Sequence, residues 1–417
     1  MTNGKVIYLD YAAATPTLSE VFEAMRPYLL EDGEYGNPGG VYKKGQNARR
    51  AVDNARRTVA EILSCSAREI IFTGSGTESD NLAIQGICRA YADEVRKGGG
   101  VPHVITSNAE HKAVLNTIQY LEKNYGFEAT YLPVDEYGRV RAESVKKAIK
   151  KTTIFCSIMY ANNEVGTVND IAEIGKVCHE SEGRNGKGVI FHTDACQAGG
   201  ALPLNVEKLN VDLMTLNGSK IYGPKGIGLL YRRQGLNLVP LIFGGEGQEH
   251  RLRAGTENVA GIVGMAKALE IAEEWRSKDN LGEMINLRDY FIEEILKKIP
   301  DSYLNGPEGK ARPGTGNMPN MERLPNNINA SFAGIDGASL LIKLDMKEIC
   351  AASGSACTSG SIEPSHVLTA MGRRSELATG SLRLSLGRET SKKDVDYVIE
   401  VLEKSVEGLR ESSPIYK

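Results

Sequence analysis

The sequence predicts an α/β fold, with a mostly parallel β-sheet flanked by helices and a smaller α+β domain. From residue 69 to about residue 241, short apolar runs alternate with amphipathic stretches, which is the order of strands and helices in a parallel sheet. After about residue 306 this alternation stops. A chain of 417 residues also exceeds the size at which one hydrophobic core stops growing, so two domains are expected.

The predicted strands of the large sheet are short runs of mostly apolar residues. They cover residues 70–72, 103–106, 129–133, 153–159, 189–193, 211–216 and 228–232. Helical patterns lie between several of these strands, at residues 78–90, 110–124, 142–150 and 170–181. Ligands of such sheets bind beyond the carboxyl ends of the strands, so we expect the functional site at that edge.

The C-terminal part of the chain predicts the smaller domain. Two long helical patterns occupy residues 258–300, and a loop rich in Gly, Pro, Asn and Met follows at residues 306–325. Strands at residues 328–332 and 382–386 come next, with helices at residues 338–345, 366–371 and 392–410. We therefore predict a large domain over residues 15–262 and a small domain made of residues 1–14 and 263–417.

The charge balance and the apolar runs limit the partners of the protein. The formal net charge is −3, which argues against nucleic acid or an anionic membrane and favours a small-molecule substrate. No apolar run approaches the ~20 residues of a membrane span. The N-terminus leads into a strand rather than a signal sequence, so we expect a cytoplasmic protein.

The seven cysteines are widely spread and include no Cys-x-x-Cys pair. This spacing fits reduced thiols better than a disulfide framework or a structural zinc site. Cys357 differs from the others because it lies among small polar residues, at positions 351–361. We expect its thiol to be accessible and mobile.

Lys220 is the residue around which the predicted site is organised. It lies in a glycine-rich stretch, residues 217–228, directly after the apolar run at residues 211–216. A lysine at a strand end, with a second cation such as Lys225 nearby to lower its pKa, suits carbonyl chemistry through a Schiff base. On this stretch alone an exposed loop lysine is the alternative.

Residues 73–81 join a predicted strand to a helix N-terminus. Free backbone N–H groups, the helix dipole and the hydroxyl side chains of this stretch favour phosphate binding. The stretch lacks both the Walker pattern and Gly-x-Gly-x-x-Gly, so a nucleotide is disfavoured. An ordinary glycine-rich start of a helix remains the alternative.

His192, Asp194 and Cys196 occupy every second position of the sequence. A continuous strand would therefore place all three side chains on one face, where they could hold a metal. No further ligand is spaced nearby, and we therefore expect no metal site. Asp194 at a strand end is better suited to pair with a protonated ring nitrogen of a cofactor, or else to cap a helix.

Two further residues are candidates because of where the pattern places them. His111 opens a helix directly after a predicted strand, where it could stack on a flat cofactor or serve a structural role. Arg383 lies on the face of its strand opposite the leucines, so it either faces solvent or binds a carboxylate.

Taken together, these motifs resemble the cysteine desulfurases, class V of the fold-type I pyridoxal-phosphate enzymes. The resemblance extends from residues 9–11 to the final helix, with motifs in the same order and spacing. The segments that support it are residues 73–81, His111, 162–166, 194–197, 217–228, 253–258, 353–361 and 381–387. Gly-Ser-Ala-Cys-Thr-Ser-Gly at residues 354–360, followed by Glu-Pro-Ser-His, is typical of the subgroup whose cysteine lies on a long loop.

The resemblance implies roles for individual residues in binding pyridoxal 5′-phosphate. Lys220 would form the Schiff base, Asp194 would contact the pyridine nitrogen, and His111 would stack on the ring. The remaining implied contacts are Asn163 and Gln197 to the ring hydroxyl, Gly76, Thr77, Asn217 and Ser219 to the phosphate, Thr256 to the phosphate of the other subunit in a homodimer, and Arg383 to the substrate carboxylate.

The resemblance also implies the reaction and the partners. L-Cysteine would be converted to L-alanine, leaving a persulfide on Cys357. That sulfur would pass to an acceptor protein such as an iron–sulfur scaffold or a thiolation enzyme. The alternatives are another class V enzyme, such as an aminotransferase or a selenocysteine lyase, and a non-catalytic sulfur carrier or scaffold of the same fold.

Three positions depart from the usual pattern of this family. Asn217 and Ser219 stand where Ser and His commonly flank the lysine, and Tyr42 replaces a histidine expected after Asn37-Pro38. Asn and Ser can both donate hydrogen bonds. We therefore expect a weaker hold on the phosphate and unchanged chemistry.

Overall fold

The structure is a computed structural model that describes residues 6–245, 247–278, 280–309, 321–353 and 364–412. Strand predictions from the apolar runs match it closely, as β8 shows by starting and ending at the predicted residues. The strands are β1 (Ile7–Tyr8), β2 (Ile70–Thr73), β3 (His103–Ser107), β4 (Glu128–Leu132), β5 (Thr153–Ser157), β6 (Ile190–Asp194), β7 (Leu213–Asn217), β8 (Gly228–Arg232), β9 (Ser302–Leu304), β10 (Asn327–Phe332), β11 (Ile349–Cys350) and β12 (Ser381–Ser385).

The helices include all those predicted, with ends that differ by up to six residues, and several that the pattern did not reveal. They are α1 (Ser19–Met25), α2 (Lys43–Leu63), α3 (Gly76–Arg96), α4 (Lys112–Tyr125), α5 (Ala142–Ala148), α6 (Ile171–His179), α7 (Gly183–Gly186), α8 (Val259–Ser277), α9 (Asn280–Lys298), α10 (Gly337–Asp345), α11 (His366–Ala370), α12 (Ser375–Thr379) and α13 (Lys392–Glu411).

The large sheet has seven strands in the order β2-β8-β7-β6-β5-β3-β4. The pairs from β7 to β4 are parallel, and β8 is antiparallel to both of its neighbours. β2 therefore runs in the same direction as β7. As a result, the carboxyl ends of six strands meet at one edge of the sheet, where ligands of this architecture bind.

Alternate side chains of the large sheet pack into separate apolar cores on its two faces. On one face the strands pack against α2, α6 and α8, through residues such as Val52, Ile174 and Met265. On the other face they pack against α3 and α4, through Ile87 and Ile118. Helices on both faces leave the strand ends as the open part of this layer.

The smaller domain forms its own apolar core around an antiparallel sheet of order β12-β10-β9, with α9, α10 and α13. β1 pairs in parallel with β11, and Leu9 lies in this core, as expected for a first strand that joins the small domain. β12 and the chain around Asp10 also make a parallel bridge. This arrangement places the start of the chain beside Arg383.

The predicted fold class is confirmed, because the structure has a mostly parallel sheet flanked by helices and a smaller α+β region. The domain boundary at residue 262 stays a prediction. It falls inside α8, which packs against α1 and α2 in the large domain. In the described ranges, no helix has the length and apolar character needed to cross a membrane.

Candidate active site

Two neighbouring strands of the large sheet present the central residues of the site. Asp194 ends β6, and it lies opposite Thr215 of the parallel strand β7. Asn217 ends β7, and one short 3₁₀ turn, Gly218–Lys220, follows directly. The carboxylate and the lysine therefore lie at the same edge because their strands are hydrogen-bonded neighbours.

The Lys220 side chain is half-buried and points towards the start of the chain. Its Nζ donates a hydrogen bond to the carbonyl oxygen of Ala12 at 3.0 Å and another to that of Ala13. Burial lowers the pKa of Lys220, and the Arg383 charge lowers it further against opposing effects of Cys196 and Asp194. Exposed Lys225, which the sequence suggested for this role, is not among these causes.

The turn from β2 into α3 has the features of a phosphate site. Ser75 precedes the helix, and its Oγ accepts a hydrogen bond from the backbone N–H of Glu78 at 3.1 Å. A Cβ at Gly76 would lie 2.7 Å from Cys196 Sγ and 3.3 Å from Asn217 Cβ, so glycine is needed there. Thr77 is exposed at the helix N-terminus, whose free N–H groups attract anions.

Asn217, which precedes the lysine turn, and Ser219, which lies within it, are hydrogen-bonded to each other. Asn217 Oδ1 accepts hydrogen bonds from the backbone N–H and from the hydroxyl of Ser219, both at 3.3 Å. The Asn217 Oδ1 acceptor is thereby shared, while its amide nitrogen lies 3.5 Å from the position that a Cβ of Gly76 would take. The structure thus brings Gly76, Asn217 and Ser219 together; their contact with a phosphate stays a prediction.

His111 lies over the same edge, before α4, where its Nδ1 accepts a hydrogen bond from the backbone N–H of Ala113 at 3.1 Å. A ring nitrogen of His111 and carboxylate oxygens of Asp80 and Asp194 all lie within 4.8 Å of one another. The imidazole is exposed and both carboxyls are buried. His111 therefore covers the carboxyl end of β6 from the solvent side.

Asp80 is a member of this group that the sequence reasoning did not single out. It is buried in α3, and its Oδ1 has no hydrogen-bond partner among the described residues. Burial, followed by the charge of Asp194, raises the pKa of Asp80 well above its usual value. The raised pKa favours the protonated, neutral form of Asp80 beside Asp194.

The metal arrangement considered for His192, Asp194 and Cys196 does not form in the described part of the structure. His192 is fully buried, with its ring nitrogens 2.9 Å from Ser157 Oγ and 3.1 Å from Thr215 Oγ1. Burial lowers the pKa of His192 to about 4. β6 ends at Asp194, and Cys196 lies beyond it, where its backbone N–H donates to Asp194 Oδ1 at 2.9 Å.

Arg383 is buried on β12 and points into the site rather than into solvent. Its Nη2 donates to Asp10 Oδ1 at 2.6 Å, and its Nη1 donates to the backbone oxygen of Asn163 at 3.1 Å. Its Nε is buried and has no acceptor among the described residues. A donor in this state is available to a bound carboxylate.

The remaining predicted residues lie in different surroundings. Gln197 donates from Nε2 to the carbonyl oxygen of Ala12 at 2.9 Å, the same oxygen that accepts a hydrogen bond from Lys220. Thr256 is exposed on the surface of the chain. Cys357 and the rest of residues 354–363 lie outside the described residues.

Comparison with known proteins gives consistent matches over nearly the whole chain. The family model described as Aminotransferase class-V matches residues 7–398. A cysteine desulfurase IscS of Dictyoglomus turgidum is 47% identical over 408 residues, which cover 98% of this chain and 96% of that protein. A solved structure titled NifS-like protein has a TM-score of 0.85 and 33% identity, covering 97% of this chain and 100% of the other. Another, titled SspA in complex with cysteine, has a TM-score of 0.76 and 34% identity, covering 92% and 100%.

The chain therefore belongs to the class-V aminotransferase family. Within that family it is a member of the cysteine desulfurases, enzymes that depend on pyridoxal 5′-phosphate. The site fits this cofactor. It combines a lysine of lowered pKa, a helix N-terminus with no room for a Cβ at Gly76, and a buried carboxylate beneath an exposed imidazole.

Proposed function

We propose that the protein transfers sulfur from L-cysteine to the thiol of Cys357 and releases L-alanine. The carbon–sulfur bond of the substrate breaks, a sulfur–sulfur bond forms on Cys357, and hydrogen replaces sulfur on the product. The main support is the meeting of the Lys220 amine, the Asp194 carboxylate and the Arg383 guanidinium in one site. Membership of the cysteine desulfurases supports the same reaction.

Bound pyridoxal phosphate would supply an electron sink for the substrate carbanion. Lys220, whose lowered pKa increases the share of neutral amine, would remove and return the proton at the substrate α-carbon. Asp194 would hold negative charge at the ring nitrogen, and His111 would cover the ring face. The other proposed contacts are Gly76, Thr77, Asn217 and Ser219 to the phosphate, and Asn163 and Gln197 to the ring hydroxyl.

Arg383 would bind the substrate carboxylate. Asp10 and the backbone oxygen of Asn163 already accept from its two terminal nitrogens, so these contacts would set the orientation of the guanidinium plane. The buried Nε is the donor that still lacks an acceptor among the described residues. A carboxylate at this edge would complete the hydrogen bonds of the guanidinium.

Chain connectivity supports Cys357 as the sulfur acceptor. Ala352 and Arg383 exchange backbone hydrogen bonds, from Ala352 N to Arg383 O at 3.1 Å and from Arg383 N to Ala352 O at 2.6 Å. Cys357 follows Ser353 by four residues, and four residues span at most about 14 Å. This chain length would allow the thiol of Cys357 to reach a substrate bound at Arg383.

We also propose a cytoplasmic homodimer that delivers sulfur to an acceptor protein, such as an iron–sulfur scaffold or a thiolation enzyme. Thr256 is exposed, as required if it reaches the phosphate of the other subunit. Exposed apolar side chains such as Val41 and Phe243 favour a protein interface. The six described cysteines are unpaired, which suits a reducing compartment.

The test is the amount of L-alanine formed from L-cysteine in the presence of a reductant, together with the sulfide released. We expect the wild type and Cys65→Ser to form equal amounts of L-alanine, because Cys65 is half-buried and the charged groups that act on it, Glu69 and Glu207, are not site residues. Cys357→Ser should keep the bound cofactor and lose turnover. Full turnover by Cys357→Ser would exclude its proposed role.

A further inference from the structure

Glu164 is a buried carboxylate to which none of the proposed catalytic roles refers. It lies in the turn after β5, where Asn162 Oδ1 accepts from the backbone N–H of Glu164 at 2.8 Å and from that of Val165 at 2.9 Å. The backbone oxygen of Glu164 accepts from Asn327 Nδ2 and Asn329 Nδ2, both at 3.1 Å. The turn is thus fixed to β10 of the small domain.

The side chain of Glu164 is hydrogen-bonded to Ser365, the second residue of the described stretch 364–412. Ser365 Oγ donates to Glu164 Oε2 and also accepts from the backbone N–H of Leu368 at 3.2 Å, so Ser365 caps α11. His366 beside it donates from Nε2 to the backbone oxygen of Glu110 at 2.9 Å. The chain that follows residues 354–363 is therefore held against the large domain.

The same turn contacts Arg383. The backbone oxygen of Asn163, the residue before Glu164, accepts from Arg383 Nη1. On the other side of residues 354–363, Ala352 pairs with the backbone of Arg383. The residues before and after the segment 354–363 are therefore both connected to Arg383. Ala352 is bonded to it directly, and Ser365 is connected to it through Glu164 and Asn163.

Burial and the neighbours of Glu164 act in opposite directions on its pKa, and burial has the larger effect. Burial raises the pKa of Glu164 to about 7, and the Ser365 hydrogen bond and the charges of Arg383 and Lys112 act in the opposite direction. His366 Nδ1 lies 4.0 Å from Glu164 Oε1. Burying a carboxylate whose side chain has one hydrogen bond among the described residues costs stability.

We propose that Glu164 and Ser365 are positioning residues, which fasten the chain after Cys357 to the turn that orients Arg383. The inference rests on the proposed function, because it assigns to this contact the placing of the thiol relative to the substrate carboxylate. Neither residue would touch the substrate. Loss of the contact should therefore slow sulfur transfer and leave substrate binding nearly unchanged.

The test is the rate of persulfide formation on Cys357 in a single turnover with L-cysteine, measured by mass spectrometry. Small displacements of a reacting group can cost up to about a hundredfold in rate, and we expect Ser365→Ala to lose about tenfold. Binding of L-alanine, followed by the absorbance of the cofactor, should stay within about twofold. Ser365→Thr, which keeps the hydroxyl, should restore most of the rate.

The matched control is Ser391→Ala. Ser391 caps α13, where its Oγ accepts from the backbone N–H of Asp394 at 3.2 Å, and it lies outside the group described above. This variant loses a helix cap without losing the contact to Glu164. A persulfide rate for Ser365→Ala equal to that of Ser391→Ala would overturn the inference, even if both variants melt at a lower temperature.

A double-mutant cycle tests whether Ser365 acts through Glu164. If it does, Ser365→Ala combined with Glu164→Ala should be no slower than the slower single variant. Rates that multiply would show that the two residues act independently, against the inference. A wild-type protein that forms no persulfide would instead exclude the proposed function, so the two failures are distinguishable.

Discussion

The site joins two regions that hold their functional groups in different ways. At the edge of the large sheet, Asp194 ends the buried strand β6, and Lys220 lies one short turn after its hydrogen-bonded neighbour β7. At the edge of the small domain, the orientation of Arg383 depends on single side chains and backbone oxygens, notably those of Asp10 and Asn163. The first region is fixed by main-chain geometry, whereas the second can be altered by replacing one side chain. Substitutions should therefore affect cofactor chemistry and sulfur transfer separately.

The largest effect is expected at Lys220. Lys220→Ala removes the amine proposed to link the cofactor and to transfer the proton, and each of these roles affects the rate strongly. We expect at least about a thousandfold loss of L-alanine formation. Borohydride reduction, followed by mass spectrometry, should also detect no covalently bound cofactor.

Lys225→Ala is the matched control for this substitution, because Lys225 is exposed five residues further along the same loop. Its activity and its covalently bound cofactor should equal those of the wild type. A Lys220→Ala variant that still retained covalent cofactor would contradict the assignment of Lys220.

The next largest effect is expected at Asp194, and a substitution there should have a larger effect than the same substitution at the neighbouring carboxyl of Asp80. Asp194→Asn removes the charge proposed to face the ring nitrogen, and we expect about a hundredfold loss of turnover. Asp80→Asn should cost far less, because the raised pKa of Asp80 favours its neutral form and an amide has nearly the same shape as a protonated carboxyl. Equal losses in steady-state turnover would contradict this division of charge.

A smaller effect concerns Glu110, which lies between the two regions. Its Oε1 accepts from the backbone N–H of Met159 at 3.0 Å and from Ser107 Oγ at 2.8 Å, and its backbone oxygen accepts from His366. Burial raises the pKa of Glu110 to about 8 in the folded protein. The folded state is therefore protonated at pH values where the unfolded state is ionised.

The stabilising effect of this protonation is complete below the unfolded pKa of about 4.3 and is lost as the pH rises to about 8. We expect Glu110→Gln to reduce this loss by an amount on the order of a few kcal/mol. The measurement is the urea midpoint of unfolding as a function of pH. Parallel pH profiles for the variant and the wild type would contradict the raised pKa.

The smallest effect is expected at Ser219, one of the departures from the family pattern. Its hydroxyl donates to Asn217 Oδ1, so it is not fully available to a phosphate. One added hydrogen bond is worth about 1 kcal/mol, and Ser219→His should therefore slow the loss of cofactor on dialysis by up to about tenfold. Equal retention by the two proteins would count against a weakened phosphate site.

The large sheet was predictable because its strands are short apolar runs bounded by polar or glycine-rich turns, as for β8. The helix α2 was missed, although its buried face follows a helical period through Ala48, Val52, Val59 and Leu63. His192 and Cys196 do not lie on one continuous strand, because β6 ends between them at Asp194, and strand ends are poorly defined by pattern alone.

The positions of Lys220 and Asp194 in the fold could be predicted because each lies at or just after a strand end. Asp10 could not be assigned to Arg383, because the two are 373 residues apart and nothing local indicates their contact. Asp80 and Glu164 were missed for a related reason. Their importance depends on burial beside another charged group, which only the tertiary structure determines.

The most direct measurement is mass spectrometry of the peptide containing Cys357 after a brief incubation with L-cysteine and no reductant. The account predicts one added sulfur atom on Cys357 in the wild type and none in Lys220→Ala. L-Alanine formed without any modified Cys357, or sulfur added equally in both proteins, would contradict it.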